Sequence, residues 1–154
     1  MKKTIICISA LVFAVVALCS CGGKSSSSGS AHSQKVNTAA DGKWQCTDIP
    51  ESMKLEKITL EIKDGNFTYT TADSKTTAIA EGYVKETGTK NAVLFIEKQK
   101  QIQNSDNKVI SEISVEKSVS ESQTVDVTYT DDNHMTLKAV TLELNLERTD
   151  TTIK

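Results

Sequence analysis

The sequence of 154 residues has few of the residue types from which catalytic and metal-binding sites are usually built. It contains two histidines and four cysteines, and beyond residue 41 only His134 and Cys46 remain of these two types. Zinc and copper sites need several histidine, cysteine or carboxylate ligands that converge, so neither metal is expected. A G-x-S-x-G motif is also absent, which leaves no sign of an activated serine nucleophile. We therefore expect a protein that is not an enzyme and that holds no cofactor.

Acidic residues are more frequent, but their spacing is typical of turns and of solvated strand faces. The run Asp131-Asp132-Asn133 offers oxygen ligands for calcium, and the same residues are typical of a tight turn, which is the preferred interpretation. Glu112 and Glu116 share one face of a predicted strand. Glu143 and Glu147 do the same, and a solvated outer face explains both pairs without acid–base catalysis.

Two further classes of ligand are disfavoured by what the sequence lacks. There is no cluster of lysine and arginine that could neutralise phosphates, so nucleic acid is not an expected partner. The seven aromatic residues are too few to suggest a stacking surface for carbohydrate.

The one long apolar run lies at the N-terminus. Two lysines precede residues 5–18, which carry no charge and are too few to span a bilayer comfortably, since spanning needs about 20 residues. This pattern predicts a signal peptide over residues 1–20. The run ends in Leu-Cys-Ser-Cys at 18–21, which resembles the lipobox of bacterial lipoproteins. The resemblance implies cleavage between Ser20 and Cys21 and lipid attachment at Cys21.

The segment that follows, residues 21–41, is rich in glycine and serine and is predicted to be a flexible tether. A chain of this length spans roughly 25 Å on average. The implied partner at its lipidated end is a membrane, and the implied location is the cell envelope. Gly22 replaces the acidic residue that retains some lipoproteins at the inner membrane, which favours the outer membrane.

Cleavage and lipidation would leave Cys46 as the one free thiol, because Cys7 and Cys19 belong to the signal peptide. No intramolecular disulfide is then possible, so the fold depends on its apolar core. We expect Cys46 to be a small buried hydrophobe on the same face as Trp44. Pairing with a cysteine of another chain remains the alternative.

Residues 42–154 form one predicted domain whose apolar residues recur with period two. The alternation predicts eight strands, and Asp64-Gly65 is a strong hairpin signal between the second and the third. The predicted strands are residues 43–48, 56–63, 66–72, 76–86, 92–98, 108–117, 124–130 and 134–148.

Two stretches depart from simple alternation. In the last run the apolar residues change parity near Ala139-Val140, which predicts either a bulge or two short strands with a corner between them. The polar stretch 99–107 is predicted to be a loop, and no segment is predicted to be a stable helix.

Eight strands joined by short links predict an all-β fold, an antiparallel up-and-down meander that closes into a small barrel. The opening Gly42-Lys43-Trp44 resembles the G-x-W of lipocalins and of lipocalin-like domains in bacterial lipoproteins. Further similarities are the hairpin at residues 64–67, the strand segment at residues 82–84, and Arg148 at the end of the last strand. The resemblance implies that Arg148 packs over Trp44 and closes the barrel. Such a cation–π contact contributes about 0.5–2 kcal/mol.

The predicted interior is rich in large apolar side chains, which favours a mostly filled barrel. The inward candidates are Ile58, Leu60, Ile62, Phe67, Tyr69, Tyr83, Leu94, Ile96, Val125, Val127, Tyr129, Leu142 and Leu144. The leading hypothesis is a non-enzymatic binding or scaffold module that meets an envelope or host protein, with residues 99–107 as the candidate contact loop. The alternative is a carrier of a small apolar ligand or lipid. A third hypothesis, an enzyme or metal-stress sensor, is weakened by the absence of a C-x-x-C motif.

Overall fold

A computed structural model describes residues 40–122, 124–140 and 142–150. The predicted signal peptide, its cleavage site, Cys21 and nearly all of the tether lie outside the described residues. Within those residues, no helix has both the length and the apolar character that crossing a membrane would require.

The described chain is almost entirely β-structure, and every strand pairing is antiparallel. The strands are β1 (Gly42–Cys46), β2 (Lys57–Lys63), β3 (Asn66–Ala72), β4 (Thr76–Gly88), β5 (Asn91–Gln103), β6 (Lys108–Ser114), β7 (Thr124–Tyr129), β8 (His134–Ala139) and β9 (Leu142–Arg148). A 3₁₀ turn (Glu51–Met53) lies between β1 and β2, and a short helix α1 (Lys117–Ser122) lies between β6 and β7.

Eight of these strands close a barrel, which confirms the predicted fold class. The sheet runs in the order β4-β3-β2-β1-β9-β8-β7-β5-β6, and the further pairing of β4 with β5 joins the sheet into a ring. The ring contains every strand except β6. In the hairpin between β2 and β3, Asp64 and Gly65 both have positive φ, as the sequence signal for a tight turn implies.

The strand outside the ring results from the unusual length of β5. One edge of β5 pairs with β4 along nearly its whole length. The other edge pairs with β7 through residues 91–95 and with β6 through residues 98–103. Thus β6 and β7 lie in line along β5, and the segment containing α1 interrupts that line.

Three predicted boundaries are corrected by this arrangement. The stretch 99–107, predicted as a loop, is instead the end of β5, a turn and the start of β6. The sequence hides this because Lys98 and Lys100 face outward while the inward position is occupied by a glutamine, Gln99, which is 3% exposed. The predicted strand over residues 108–117 ends at Ser114, and α1 begins at Lys117, where no helix was predicted.

The predicted strand over residues 134–148 is two strands, β8 and β9, which meet at a turn. This is the second of the two alternatives that the change of parity left open. Val140 lies in that turn and is fully exposed, since its side chain belongs to neither face of the barrel.

The core is the inward face of the barrel, and most of the inward candidates occupy it. The buried apolar side chains are Ala40, Trp44, Cys46, Ile58, Leu60, Ile62, Phe67, Tyr69, Ala80, Ala92, Leu94, Ile96, Val127, Tyr129, Met135, Leu137, Leu144 and Leu146. Val125 and Leu142 are partly buried and pack against them.

Tyr83 is the exception among the inward candidates. Its neighbour Gly82 has the inward position, and Tyr83 instead stacks on Phe95 of β5, with ring centroids 4.8 Å apart. In β4 the inward positions are those of Ala80 and Gly82, so Tyr83 points to the other face, directly opposite Phe95.

Candidate functional site

Trp44 and Arg148, the two residues predicted to close the barrel, lie directly opposite each other on β1 and β9. The guanidinium carbon of Arg148 is 4.2 Å from the centroid of the indole ring. Trp44 is 1% exposed, and its Nε1 donates a hydrogen bond of 3.0 Å to the carbonyl oxygen of Ala40. A cation over an aromatic face in a partly desolvated place is a favourable contact.

Arg148 also ties three parts of the chain together at this end of the barrel, which we call the seam end. Its Nη1 donates to the carbonyl oxygen of Asp41 at 2.7 Å, and its Nε donates to that of Asp132 at 2.7 Å. Asp150 lies 3.6 Å from the guanidinium as an ion-pair partner. The side chain therefore joins the entry of β1, the exit of β9 and the turn between β7 and β8.

The glycine of the G-x-W motif has a physical role in this contact. Gly42 has a φ of 152°, and a Cβ placed there would meet Nη1 of Arg148 and the carboxylate of Asp150. A side chain at position 42 would therefore displace the arginine from the tryptophan. Glycine, tryptophan and arginine form one structural unit at the seam end.

The barrel interior is nearly filled. The enclosed cavity has a volume of about 20 Å³, room for little more than one water molecule. Its lining is apolar apart from one hydroxyl, and consists of Phe67, Tyr69, Ala80, Leu94, Ile96, Val125 and Leu137. Sites for small organic ligands usually measure about 300–1,000 Å³. The cavity that these described residues line is too small for a ligand of that size.

Two tyrosine hydroxyls inside the barrel have no hydrogen-bond partner in the described part of the chain. They belong to Tyr69 and Tyr129, and burial raises the pKa of each phenol well above its usual value. The anion of Cys46 adds to this effect at Tyr69, and Glu86 and Asp41 add to it at Tyr129. Both phenols are therefore neutral at physiological pH, which makes them unsuitable as general bases.

Cys46 is buried at 3% exposure, as expected for a small hydrophobe on the face of Trp44. Its Sγ lies 3.6 Å from the carbonyl oxygen of Asp48. Burial raises the pKa of the thiol, so the nucleophilic thiolate is disfavoured. This environment is that of a packing residue.

The acidic run at residues 131–133 forms the turn between β7 and β8. One carboxylate oxygen of Asp131 accepts hydrogen bonds from the backbone N–H groups of Asn133 and His134, at 2.8 and 2.9 Å. Nδ1 of His134 lies 2.8 Å from the same carboxylate. The turn hydrogen bond from Asn133 and the contact with His134 lower the pKa of Asp131. The carboxylate thus organises the turn, as its sequence predicted.

Asp131 leads to a prediction about acid stability. A folded-state pKa below the ordinary value of about 3.9 means that the carboxylate stabilises the fold above that pH and loses this effect as pH falls through the folded value. We expect Asp131→Asn to lower the free energy of unfolding at about pH 6 and to have less effect at about pH 3. Denaturant unfolding at the two pH values measures this. An equal effect of Asp131→Asn at both pH values would contradict the assignment.

The remaining carboxylates highlighted by the sequence lie on the outer surface. Glu112 forms an ion pair with Lys98, and Glu143 lies 3.8 Å from Lys138 on the adjacent strand. Glu116 accepts a backbone bond at the start of α1 through its carbonyl oxygen. Throughout the described ranges, no three histidine, cysteine, aspartate or glutamate side chains come together as a possible metal site.

The sequence missed one prominent surface feature. Residues 76–81 of β4, residues 98–103 of β5 and all of β6 form a three-stranded sheet, which we call the extension. Its sequence signal was the alternation of Lys98 and Lys100 with glutamines, repeated as alternating Glu112 and isoleucine on β6. The segments in β4 and β6 were predicted as strands, but the polar stretch 99–107 between them was predicted as a loop, so the three-stranded sheet was not predicted. A comparison of the chain with known proteins finds no family model, no curated protein and no solved structure that matches it.

Proposed function

We propose that the protein is a lipid-anchored lipoprotein of the bacterial cell envelope whose barrel is a non-enzymatic, lipocalin-like binding or scaffold module. The observation that carries the proposal is the Leu-Cys-Ser-Cys sequence after a short apolar run, followed by a polar segment and a closed barrel. A lipid on Cys21 would hold the barrel at a membrane, with the outer membrane favoured by Gly22. Two or more acyl chains make such an anchor stable, whereas a single chain binds only marginally.

The lipocalin-like part of the proposal is supported by the seam end. A G-x-W motif opens the first strand, and an arginine at the end of the last strand lies over the tryptophan. The same pair closes an antiparallel eight-stranded ring. A match at these few positions supports a common architecture, and fold alone does not carry an activity.

A scaffold is favoured over a carrier because of the filled interior. The cavity of about 20 Å³ would need to grow more than tenfold to reach the usual size of a ligand site. Surface groups are therefore the better candidates for recognition. Native mass spectrometry of the purified protein tests the carrier hypothesis, because a lipid or metabolite that stays bound would show that the interior expands.

The residues that flank the barrel on both sides lie at one end of it, which fits attachment to a membrane through the tether. Asp41 and Asp150 both contact Arg148, so the tether would enter the barrel at the seam end. The turn between β3 and β4 lies at the opposite end of the barrel. The turn between β5 and β6 lies at that end too, since the side chain of its residue Asn104 donates a hydrogen bond to the turn between β3 and β4. A tether at the seam end would leave the extension on the side of the barrel that faces away from the membrane.

Replacement of the acceptor cysteine tests the proposal. We expect Cys21→Ala to abolish incorporation of labelled fatty acid and to remove the protein from the membrane fraction, because the thiol that carries the lipid is absent. The measurement is metabolic labelling followed by fractionation. Cys19→Ala is the matched control, since it removes a neighbouring cysteine and should leave both properties intact. Continued labelling of Cys21→Ala would refute lipidation at this residue.

A further inference from the structure

The outer edge of β6 has no strand paired with it among the described residues. β6 pairs with β5 along one edge, and it stands at the end of the strand order in the described sheet. Such an edge presents a row of backbone donors and acceptors that can bind another extended chain. Val109 and Ile110, at 48% and 52% exposure, are among the most exposed large apolar residues in the described chain, and both lie on this strand.

The extension that carries this edge is held firmly at its base. The side-chain amide of Asn104 donates to the carbonyl oxygen of Asp73 at 2.9 Å, and its backbone N–H donates to that of Lys75 at 2.8 Å. The hydroxyl of Thr77 donates to Oδ1 of Asn104 at 2.7 Å. These bonds join the turn between β5 and β6 to the turn between β3 and β4. A preorganised edge loses less conformational freedom on binding.

Only the second half of β6 offers a regular edge. Val109 lies opposite Ile102 and Ser111 lies opposite Gln101, so Ile110 is an extra residue in a bulge. A bulge breaks the alternation of the two faces and protects an edge against pairing. From Ser111 to Ser114 the register is regular, and any added strand would pair there.

The sequence of this half selects one register for pairing with a second copy of itself. When two copies of a strand pair antiparallel, a two-fold axis relates them, and the residue on that axis faces the same residue of the other copy. Residues that face each other point to the same side of the sheet. An axis at Glu112 sets two glutamates opposite each other, and an axis at Ser114 sets Glu112 opposite Glu116. Like charges directly opposite are destabilising. An axis at Ile113 avoids both, because it sets two isoleucines together and Glu112 opposite Ser114.

Lysines of the same copy neutralise the glutamate closest to that axis. Lys98 lies opposite Ser114 within one copy and forms an ion pair with Glu112 of the same copy. With the axis at Ile113, Glu112 of the second copy lies opposite Ser114, two strands away from Lys98. Each Glu112 also lies opposite Lys100 of its own copy, so both glutamates that approach each other across the axis already have two lysine neighbours.

We infer that two copies of this protein pair through the second half of β6, antiparallel about Ile113, so that their extensions form one six-stranded sheet. The contact is short, and an interface of this size is weak in dilute solution. It gains from the membrane anchor of the proposed function, because anchoring raises the effective concentration of the two copies.

Cysteine cross-linking of the full-length protein in its membrane tests the register. In a Cys46→Ala background, Ile113→Cys is expected to form a disulfide-linked dimer on mild oxidation. Facing residues of an antiparallel pair have Cα atoms about 4.5–5.5 Å apart, within the range that a disulfide bridges. Ile110→Cys is the control, because it is more exposed than Ile113 but lies three residues from the axis, which separates its two copies by roughly 20 Å. Equal cross-linking of the two variants, or cross-linking of Ile113→Cys to a different protein, would overturn the inference.

A second pair of variants covers the case in which position 113 does not accept a cysteine. Co-expression of Glu112→Cys and Ser114→Cys chains, also in the Cys46→Ala background, should give a mixed dimer, since these positions face each other across the axis. Neither variant alone should cross-link as strongly. The proposed function is tested separately in the same samples. A protein that is absent from the membrane fraction but cross-links at Ile113→Cys when concentrated would contradict the anchor and support the pairing.

Discussion

Trp44→Ala is expected to lower the free energy of unfolding by about 3–5 kcal/mol, the usual loss when a buried tryptophan is truncated. The indole fills the seam end of the core at 1% exposure and holds the carbonyl oxygen of Ala40 through Nε1. Its removal leaves a cavity and an unpaired carbonyl, and it exposes the inner face of the Arg148 guanidinium. Chemical denaturation of the two proteins, followed by circular dichroism, measures the difference.

The contact with Arg148 is separated from simple packing by a double-mutant cycle. Trp44→Ala, Arg148→Ala and the double variant should show a coupling of about 0.5–2 kcal/mol, the range of a cation–π contact. Trp44→Phe is the control for the aromatic face, because it keeps a ring under the guanidinium while it loses the Nε1 bond and part of the buried indole volume. Effects that add to within about 0.5 kcal/mol would show that the two side chains are not coupled.

This pair was predicted from the resemblance to lipocalin-like domains, which implies that Arg148 packs over Trp44, and barrel closure agrees with it. An up-and-down barrel brings its first and last strands together, so the tryptophan of one and the arginine of the other are expected to be neighbours. The remaining partners of Arg148 were not predictable. Among them are the carbonyl oxygens of Asp41 and Asp132, and a backbone acceptor has no sequence signature.

The core strands were predicted well where one face is apolar and the other polar. In β2, Ile58, Leu60 and Ile62 are all buried at 1% exposure or less, as the alternation indicates. The signal fails in the second half of β5, where Gln99 occupies the inward position and apolar contrast disappears. It also fails at α1, because six residues of Ser, Lys, Val and Glu have no helical apolar stripe.

Local sequence patterns could not predict which strands belong to the ring and which strand belongs only to the extension. β6 and β7 have similar strand signals, yet only β7 has a second neighbour, β8, on the far side. Which of two aligned strands enters the ring depends on the lengths and registers of distant partners. Hence the sequence could not indicate that β6 stands at the edge of the described sheet.

Gly82→Ala is expected to destabilise the protein by about 3 kcal/mol, at the upper end of the usual cost of overpacking. Gly82 faces the interior beside the register shift between β4 and β5. A Cβ at this position would collide with the backbone carbonyl oxygen of Phe95 and would stand 3.0 Å from the ring of Phe67. The carbonyl belongs to the neighbouring strand and cannot rotate away as a flexible side chain would. Denaturant midpoints of the variant and the original protein measure the loss.

Gly88→Ala provides the matched control, because Gly88 is the last residue of the same strand. The nearest atom to a Cβ at Gly88 is the side-chain amide nitrogen of Asn91 at 3.7 Å, an ordinary contact. We expect this change to alter the free energy of unfolding by less than about 1 kcal/mol, because only the conformational freedom of the unfolded chain differs. If both substitutions have similar effects, the tight approach of β4 to β5 at Gly82 is not a constraint on the barrel. A large loss at Gly82 alone would identify this glycine as the position that lets the long hairpin of β4 and β5 bend into the ring.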